Sequence, residues 1–104
     1  MRIDKIIEKI LNEKLYNHEN HTQLRDFFYK LSDNDQLAVI SAMYIGRNHL
    51  HLDKLKENIS RNDHDHIESE HFYSILVDKS NALPTYFETF LKCARASKFD
   101  FDEF

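Results

Sequence analysis

The sequence predicts an all-α fold, a compact bundle of five or six helices around a central apolar helix at about residues 35–46. The 104-residue chain has one glycine and one proline, whereas sheets and hairpins need such residues at their turns. Apolar residues recur three and four positions apart with charged residues between them, which indicates amphipathic helices. The length fits one domain, predicted over residues 1–98 and followed by an acidic, phenylalanine-containing tail at 99–104.

Apolar periodicity predicts the first two helices. A helix over about residues 2–15 is indicated by six positions: Ile3, Ile6, Ile7, Ile10, Leu11 and Leu15. A polar break follows, and Asn20 can cap a second helix, because asparagine is a favoured N-cap residue. The apolar side of that helix contains Leu24, Phe27, Phe28 and Leu31.

The central helix has a start signal and an expected end. Ser32 precedes acidic residues, which are favourable at the positive end of a helix. The run LAVISAMYIG is apolar on nearly every side, which is typical of a buried helix. We expect the helix to end at Gly46, since glycine adopts the left-handed conformation that closes helices. Arg47 is expected to tie this corner to an acid, or alternatively to clamp a carboxylate or phosphate.

Three further helices are predicted after this corner. The fourth is indicated by Leu52, Leu55 and Ile59, and the fifth by Ile67, Phe72, Ile75 and Leu76. The intervening NDHDH either forms a loop or lies inside one long bent helix. Ser80 or Asn81 is expected to cap the last helix, with Pro84 in its first turn, where its missing N–H has no partner to lose.

The tail KFDFDEF places Phe99, Phe101 and Phe104 among three acids. The alternation resembles a strand, but it stands alone at a terminus. Two structures remain open. The tail either folds back onto the helices or acts as an acidic, aromatic peptide that docks into a groove of a partner.

The composition also bounds the cellular setting. A single cysteine, Cys93, permits neither an internal disulfide nor a cysteine-based zinc site. The N-terminal stretch has no apolar signal-peptide core, and no run reaches the roughly 20 apolar residues of a membrane span. We therefore expect a cytoplasmic protein, in a bacterium or a host cell, with no membrane partner.

The charge is unevenly distributed. The net charge is −4, and residues 1–50 have seven basic and seven acidic side chains, whereas residues 51–104 have seven basic and eleven acidic ones. No basic stripe for nucleic acid is visible, and the excess of acid favours a basic protein partner, although −4 also suits an ordinary soluble surface. The predicted partner-binding residues are Asp63, Asp65, Glu68, Glu70, Phe99, Phe101 and Phe104.

Seven histidines raise the question of a metal site. His66 and Glu70 are four residues apart, which places them on one face of a helix. His49 or His51 can complete a zinc site from elsewhere in the fold. A full His-Glu-x-x-His signature is absent, so we expect these histidines to be solvated polar positions, with zinc binding as the alternative.

Nucleophilic catalysis has weaker support. Cys93 lies within the apolar periodicity of the last helix, where a cysteine is usually inert. No serine occupies a Gly-x-Ser-x-Gly elbow, and the single glycine cannot form a phosphate-binding loop. We therefore expect a protein without enzymatic activity and without a cofactor.

The stretch LAVISAMYIGR, followed by HFYSILVDKSNALPTYFETFL, resembles a small bacterial helical domain family of unknown function across about residues 35–92. That family has an apolar helix ending in Trp-Leu/Ile-Gly-Arg-Gly-Asp. Here Met43 or Tyr44 stands at the tryptophan, while Asn48 and His49 replace the second glycine and the acid. The resemblance implies a compact helical domain and no particular activity.

These observations favour a non-enzymatic interaction protein, an adaptor or inhibitor that binds a partner macromolecule through its acidic C-terminal half. By analogy alone, such a protein suits a phage or mobile-element inhibitor of a host nucleic-acid machine. The alternative is a helical protein that binds a metal or small ligand through a His/Glu cluster. A homo-oligomer that pairs exposed apolar helix faces is a third interpretation.

Overall fold

The computed structural model describes residues 1–104 and confirms the all-α prediction, with five α-helices, four short 3-10 helices and no strand. The α-helices are α1 (Ile3–Asn12), α2 (His21–Lys30), α3 (Asp33–Asn48), α4 (Phe72–Asp78) and α5 (Leu83–Ala96). The 3-10 helices are His18–Asn20, Arg61–His64, Ser69–His71 and Phe101–Glu103. None of the helices combines the length and the apolar character that crossing a membrane requires.

Helix α3 is the central helix, as predicted. It packs against α1, α4 and α5, and Val39, Ile40 and Met43 on it are completely buried. The start signal is also confirmed, because the Ser32 hydroxyl accepts a hydrogen bond from the Asp35 N–H at 3.1 Å. One apolar core therefore surrounds a helix whose own sequence is apolar on nearly every side.

The predicted role of Gly46 is wrong. Helix α3 continues to Asn48, and Gly46 does not have a positive φ. A methyl group placed on Gly46 would lie 1.9 Å from the carbonyl oxygen of Tyr86 in α5. Glycine is required here because the backbones of α3 and α5 approach closely, and not because a helix ends.

The predicted partner for Arg47 is also absent. Arg47 is exposed on the last turn of α3 and makes neither a side-chain hydrogen bond nor an ion pair. Its position near the helix C-terminus is still favourable, since a cation there complements the helix dipole.

Two details of the N-terminal region correct the predictions. Helix α1 ends at Asn12, and a left-handed Lys14 (φ 52°) turns the chain so that Leu15 reaches the core from outside the helix. Asn20 precedes α2 but does not cap it with its side chain. Its amide instead donates to the Lys14 carbonyl at 3.0 Å, which fixes the connecting turn.

The predicted fourth helix does not form. Between α3 and Arg61 the chain has no helix, and Leu55 and Ile59 pack on the core from an irregular segment. This segment is attached by hydrogen bonds from Leu55 N–H to the Ser97 hydroxyl (2.9 Å) and from the Cys93 thiol to the Leu52 carbonyl (3.3 Å). Apolar residues three and four positions apart therefore occur here in a segment whose backbone is not helical.

The last two helices are confirmed with different starts. The fifth predicted helix is only Phe72–Asp78, so Ile67 lies in the irregular segment before it. Helix α5 has Ala82 at its N-cap, not Ser80 or Asn81, and Pro84 occupies its first turn as expected.

The tail adopts the first of its two predicted structures and folds back. Phe101–Glu103 forms a 3-10 turn. Phe104 is 3% exposed and packs against Phe90 of α5, with ring centroids 5.2 Å apart. The tail is therefore part of the same hydrophobic core as the helices.

Candidate binding groove

An open groove of about 470 Å³ lies between the start of α3 and the segment that leads into α4. Its lining residues are Asp33, Asn34, Leu37, Asp65, Ile67, Glu68, Ser69 and Phe72. One wall comes from the first turns of α3, and the other comes from residues 65–72. The groove therefore exists only because tertiary folding brings two distant stretches together.

Local structure explains how residues 65–72 reach this position. A capping box begins the 3-10 turn at Arg61, with the Ser60 N–H donating to the Asp63 carboxylate at 3.0 Å. The Arg61 guanidinium donates to the backbone carbonyls of Asn34 (3.1 Å) and Phe104. Arg61 thus attaches the segment to the start of α3 and to the tail.

The groove has an apolar floor. Leu37 and Ile67 are half-buried, and Phe72 is 4% exposed. All three pack in or against the main hydrophobic core. Their supported positions give the floor a fixed shape.

The acids that line the groove have no cation of their own. Asp33, Asp65 and Glu68 are exposed, and none has a basic group within 4.0 Å. Asp33 has a structural role as well, since it lies in the first turn of α3 and complements the helix dipole. The groove consequently presents three uncompensated carboxylates around an apolar floor.

A second groove of about 390 Å³ provides the contrast. Its lining residues are Lys9, Glu13, Leu15, Gln23, Asp26, Phe27 and Lys30. Glu13 accepts from Lys9 at 2.7 Å, and Asp26 contacts Arg25 at 3.4 Å. This second groove has two lysines and two acids, so its charge is compensated within the chain.

The predicted acidic residues are distributed over this region. Asp65 and Glu68 line the groove. Asp63 accepts the Ser60 N–H and so has a capping role. Glu70 lies outside the lining, exposed beside the His71 ring at 3.8 Å. Sequence reasoning missed two lining residues. Asp33 was assigned only to the start of the central helix, and Leu37 was assigned only to its apolar side.

The three phenylalanines of the tail are placed differently from the acids. Phe104 is buried, and Phe99 and Phe101 are half-buried, with their rings in edge contact at 6.1 Å. Phe104 belongs to the hydrophobic core, and the rings of Phe99 and Phe101 pack against that core. They do not line the groove.

His49 is a core residue, so the expectation that it faces water is wrong. It is 2% exposed, and its Nδ1 lies 2.7 Å from the Ile45 carbonyl while its Nε2 accepts the Lys56 N–H at 3.0 Å. These contacts require a proton on Nδ1 and none on Nε2. Both ring nitrogens are engaged, which leaves His49 no lone pair for a metal ion.

The predicted metal ligands are not brought together. The group whose ligand atoms lie within 4.8 Å of one another is Glu68, Glu70 and His71, and all three are exposed. His66 and His51 are exposed outside this group. Glu70 is therefore the one predicted ligand in a cluster with metal-ligand chemistry, and Glu68 is the one member of that cluster that lines the groove.

Ser41 and His64 form a pair that the sequence did not indicate. The Ser41 hydroxyl is fully buried and donates to the Arg61 carbonyl, while its oxygen lies 3.1 Å from His64 Nδ1. Nδ1–H must therefore donate to Ser41, which is the reverse of a histidine that activates a serine. The imidazole also stacks on Tyr44, with centroids 4.9 Å apart. These contacts attach the 3-10 turn Arg61–His64, which directly precedes the 65–72 wall of the groove, to α3.

This environment predicts a pH dependence of stability. Burial lowers the pKa of His64 below its usual 6.5, with a smaller contribution from His66 and an opposing one from Asp63. A lowered folded-state pKa means that the unfolded chain binds the proton more readily, so stability is fully present above about pH 6.5 and falls as the pH falls below it. We expect urea midpoints to decrease between pH 7.5 and 5.5, and to decrease less in His64→Asn, whose amide can still donate to Ser41. Equal decreases in both proteins would contradict this role.

Cys93 is held in a structural position. Its thiol is fully buried and donates to the Leu52 carbonyl, and burial raises the pKa of the Cys93 thiol. A thiol with a raised pKa is a poor nucleophile at neutral pH.

Comparison of the chain with known protein families, with characterised proteins and with solved structures gave no match.

Proposed function

We propose that the protein is a non-enzymatic interaction protein, an adaptor or inhibitor, that binds a basic surface of a partner macromolecule through the acidic groove. The observation that supports this proposal is the lining of the groove. Asp33, Asp65 and Glu68 have no cation within the chain and surround an apolar floor. A basic partner would supply the missing positive charge.

Charge and apolar surface would have separate effects in such a complex. Exposed ion pairs contribute only about 0–1 kcal/mol each, so the carboxylates would mainly raise the association rate and exclude acidic partners. Burial of the floor contributes about 25 cal/mol per Å² of apolar surface removed from water. The combination in one groove therefore favours recognition of a protein surface over a non-specific attraction of cations.

An inhibitor of a nucleic-acid machine is one form of this function. Proteins that bind nucleic acid do so through basic surfaces that neutralise phosphates. An acidic protein that occupies such a surface excludes nucleic acid from it by direct competition. A small protein encoded by a phage or a mobile element would suit this use, and its partner would then be a host protein.

The proposal predicts that partner binding depends on the charges of this groove and not on total charge. In Asp65→Asn/Glu68→Gln, two uncompensated carboxylates become neutral with little change in shape. We expect affinity capture from host lysate, quantified by mass spectrometry, to recover the partner with the natural sequence. The purified partner should then bind the variant at least about tenfold more weakly, which corresponds to about 1.4 kcal/mol.

A matched control removes the same charge elsewhere. Glu13→Gln/Asp26→Asn neutralises two acids that line the second groove and should retain the partner with less than about a twofold change. Both variants should keep the far-ultraviolet circular dichroism of the natural sequence. Equal losses in the two variants would show that only net charge matters and would refute the groove as the binding site.

A further inference from the structure

We infer that the groove binds a short segment of the partner in which a lysine or arginine lies next to a large apolar residue. This inference rests on the proposed function and specifies the chemistry of the segment. It differs from a general attraction to basic surfaces, because it requires an apolar side chain as well as a cation.

The floor supplies the argument for an apolar side chain. Leu37, Ile67 and Phe72 reach the groove from the main core, which holds them in place. A groove of about 470 Å³ lies within the roughly 300–1,000 Å³ range of small-ligand sites. It can therefore accept one or two side chains of a segment. A large apolar side chain would remove this floor from water, whereas a segment with only cations would leave much of it wet.

The two walls supply the argument for a neighbouring cation. Asp33 lies on the α3 wall, and Asp65 and Glu68 lie on the opposite one. No basic residue lines the groove, and Arg61, which joins this segment to the start of α3, already donates to the backbone oxygens of Asn34 and Phe104. A cation of the partner would meet carboxylates on both walls while the stem of its side chain covers apolar surface.

The remaining lining residues suit a peptide. Asn34 and Ser69 are exposed in the groove, and their side chains both donate and accept hydrogen bonds. A peptide backbone needs both kinds of partner when it leaves water. A phosphate-containing ligand would instead face three carboxylates with no cation, which makes a nucleic acid strand a poor occupant.

A pair of labelled peptides tests this inference on the unaltered protein. One short peptide has leucines flanked by lysine and arginine, and the matched peptide has serines in place of the leucines. Fluorescence anisotropy at low ionic strength should show binding of the leucine peptide. The serine peptide should bind at least about tenfold more weakly, because it has no side chain to cover the floor.

Variants of the protein then locate the site. Asp65→Asn/Glu68→Gln should weaken both peptides, whereas Ile67→Ser should weaken only the leucine peptide. Glu13→Gln/Asp26→Asn should bind both as the natural sequence does. Thermal unfolding of Ile67→Ser establishes that this variant is folded, and Ile67→Thr replaces it if it is not.

The outcomes separate this inference from the proposed function. Equal affinity of the two peptides, or no binding of either, would overturn the requirement for an apolar residue and a cation in one segment. The proposed function would still stand if the captured partner depended on Asp65 and Glu68. Loss of that dependence would overturn the function, whichever peptide bound.

Discussion

Replacing Gly46 with alanine should lower the free energy of unfolding by about 3 kcal/mol, at the upper end of the usual cost of overpacking a core. The added methyl carbon would lie 1.9 Å from the carbonyl oxygen and 2.7 Å from the carbonyl carbon of Tyr86. Those atoms belong to the backbone of α5 and cannot rotate away. Helices α3 and α5 must therefore separate, which loosens packing in the centre of the core. Urea denaturation followed by circular dichroism measures the loss.

The sign of this effect distinguishes two roles for the glycine. Inside a helix without such a contact, glycine to alanine is stabilising by about 1 kcal/mol. Asn48→Ala is the control, because Asn48 is exposed on the same helix and its change should stay within about 0.5 kcal/mol. Adding Tyr86→Ala to Gly46→Ala should not restore stability, since the clash is with the backbone. A Gly46→Ala protein as stable as the natural sequence would contradict the close approach.

The error about Gly46 has a physical cause. A glycine after an apolar run is expected both at a helix end and at a close helix crossing, and the local sequence is the same in either case. Which of these two roles the glycine has depends on the position of the Tyr86 backbone, which belongs to another helix. Arg47 was misassigned with it, because its expected partner depended on a corner that the chain does not make there.

Periodicity was informative where one helix face meets the core. It predicted α1 and α5, whose buried residues recur at helical spacing. Helix α3 was predicted instead from its continuous apolar run, and it is buried on nearly every side. Periodicity failed for Leu52, Leu55 and Ile59, where an irregular segment is held by hydrogen bonds to distant side chains. Such bonds compensate backbone groups that a helix would otherwise pair, and no local feature of the sequence indicates them.

The candidate groove was partly predictable for a related reason. The excess of acid after residue 50 indicated Asp65 and Glu68, because charge is visible in composition. Asp33 was predicted to favour the start of a helix and Phe72 to lie in the apolar core, and both residues have those roles in the structure. The groove arises from their juxtaposition with residues 65–69, which only the tertiary fold defines.

Replacing Phe104 with alanine should also be strongly destabilising, by about 3 kcal/mol, at the lower end of the range for buried phenylalanines. Its ring is 3% exposed and lies 5.2 Å from Phe90 and 5.9 Å from Phe99. Truncation removes this ring from its cluster with Phe90 and Phe99 and leaves a cavity in the core. Urea denaturation at neutral pH measures the change in the free energy of unfolding.

Comparison within the tail decides between packing and docking. Glu103→Ala, at an exposed position of the same turn, should change stability by less than about 0.5 kcal/mol. Phe99→Ala should have an intermediate effect, since Phe99 is half-buried. If Phe104→Ala instead kept full stability and weakened binding of the captured partner, the phenylalanines would be docking residues and the folded-back tail would not be the state in solution. The expected loss of stability with unchanged partner affinity, measured below the unfolding transition, would restrict recognition to the acidic groove.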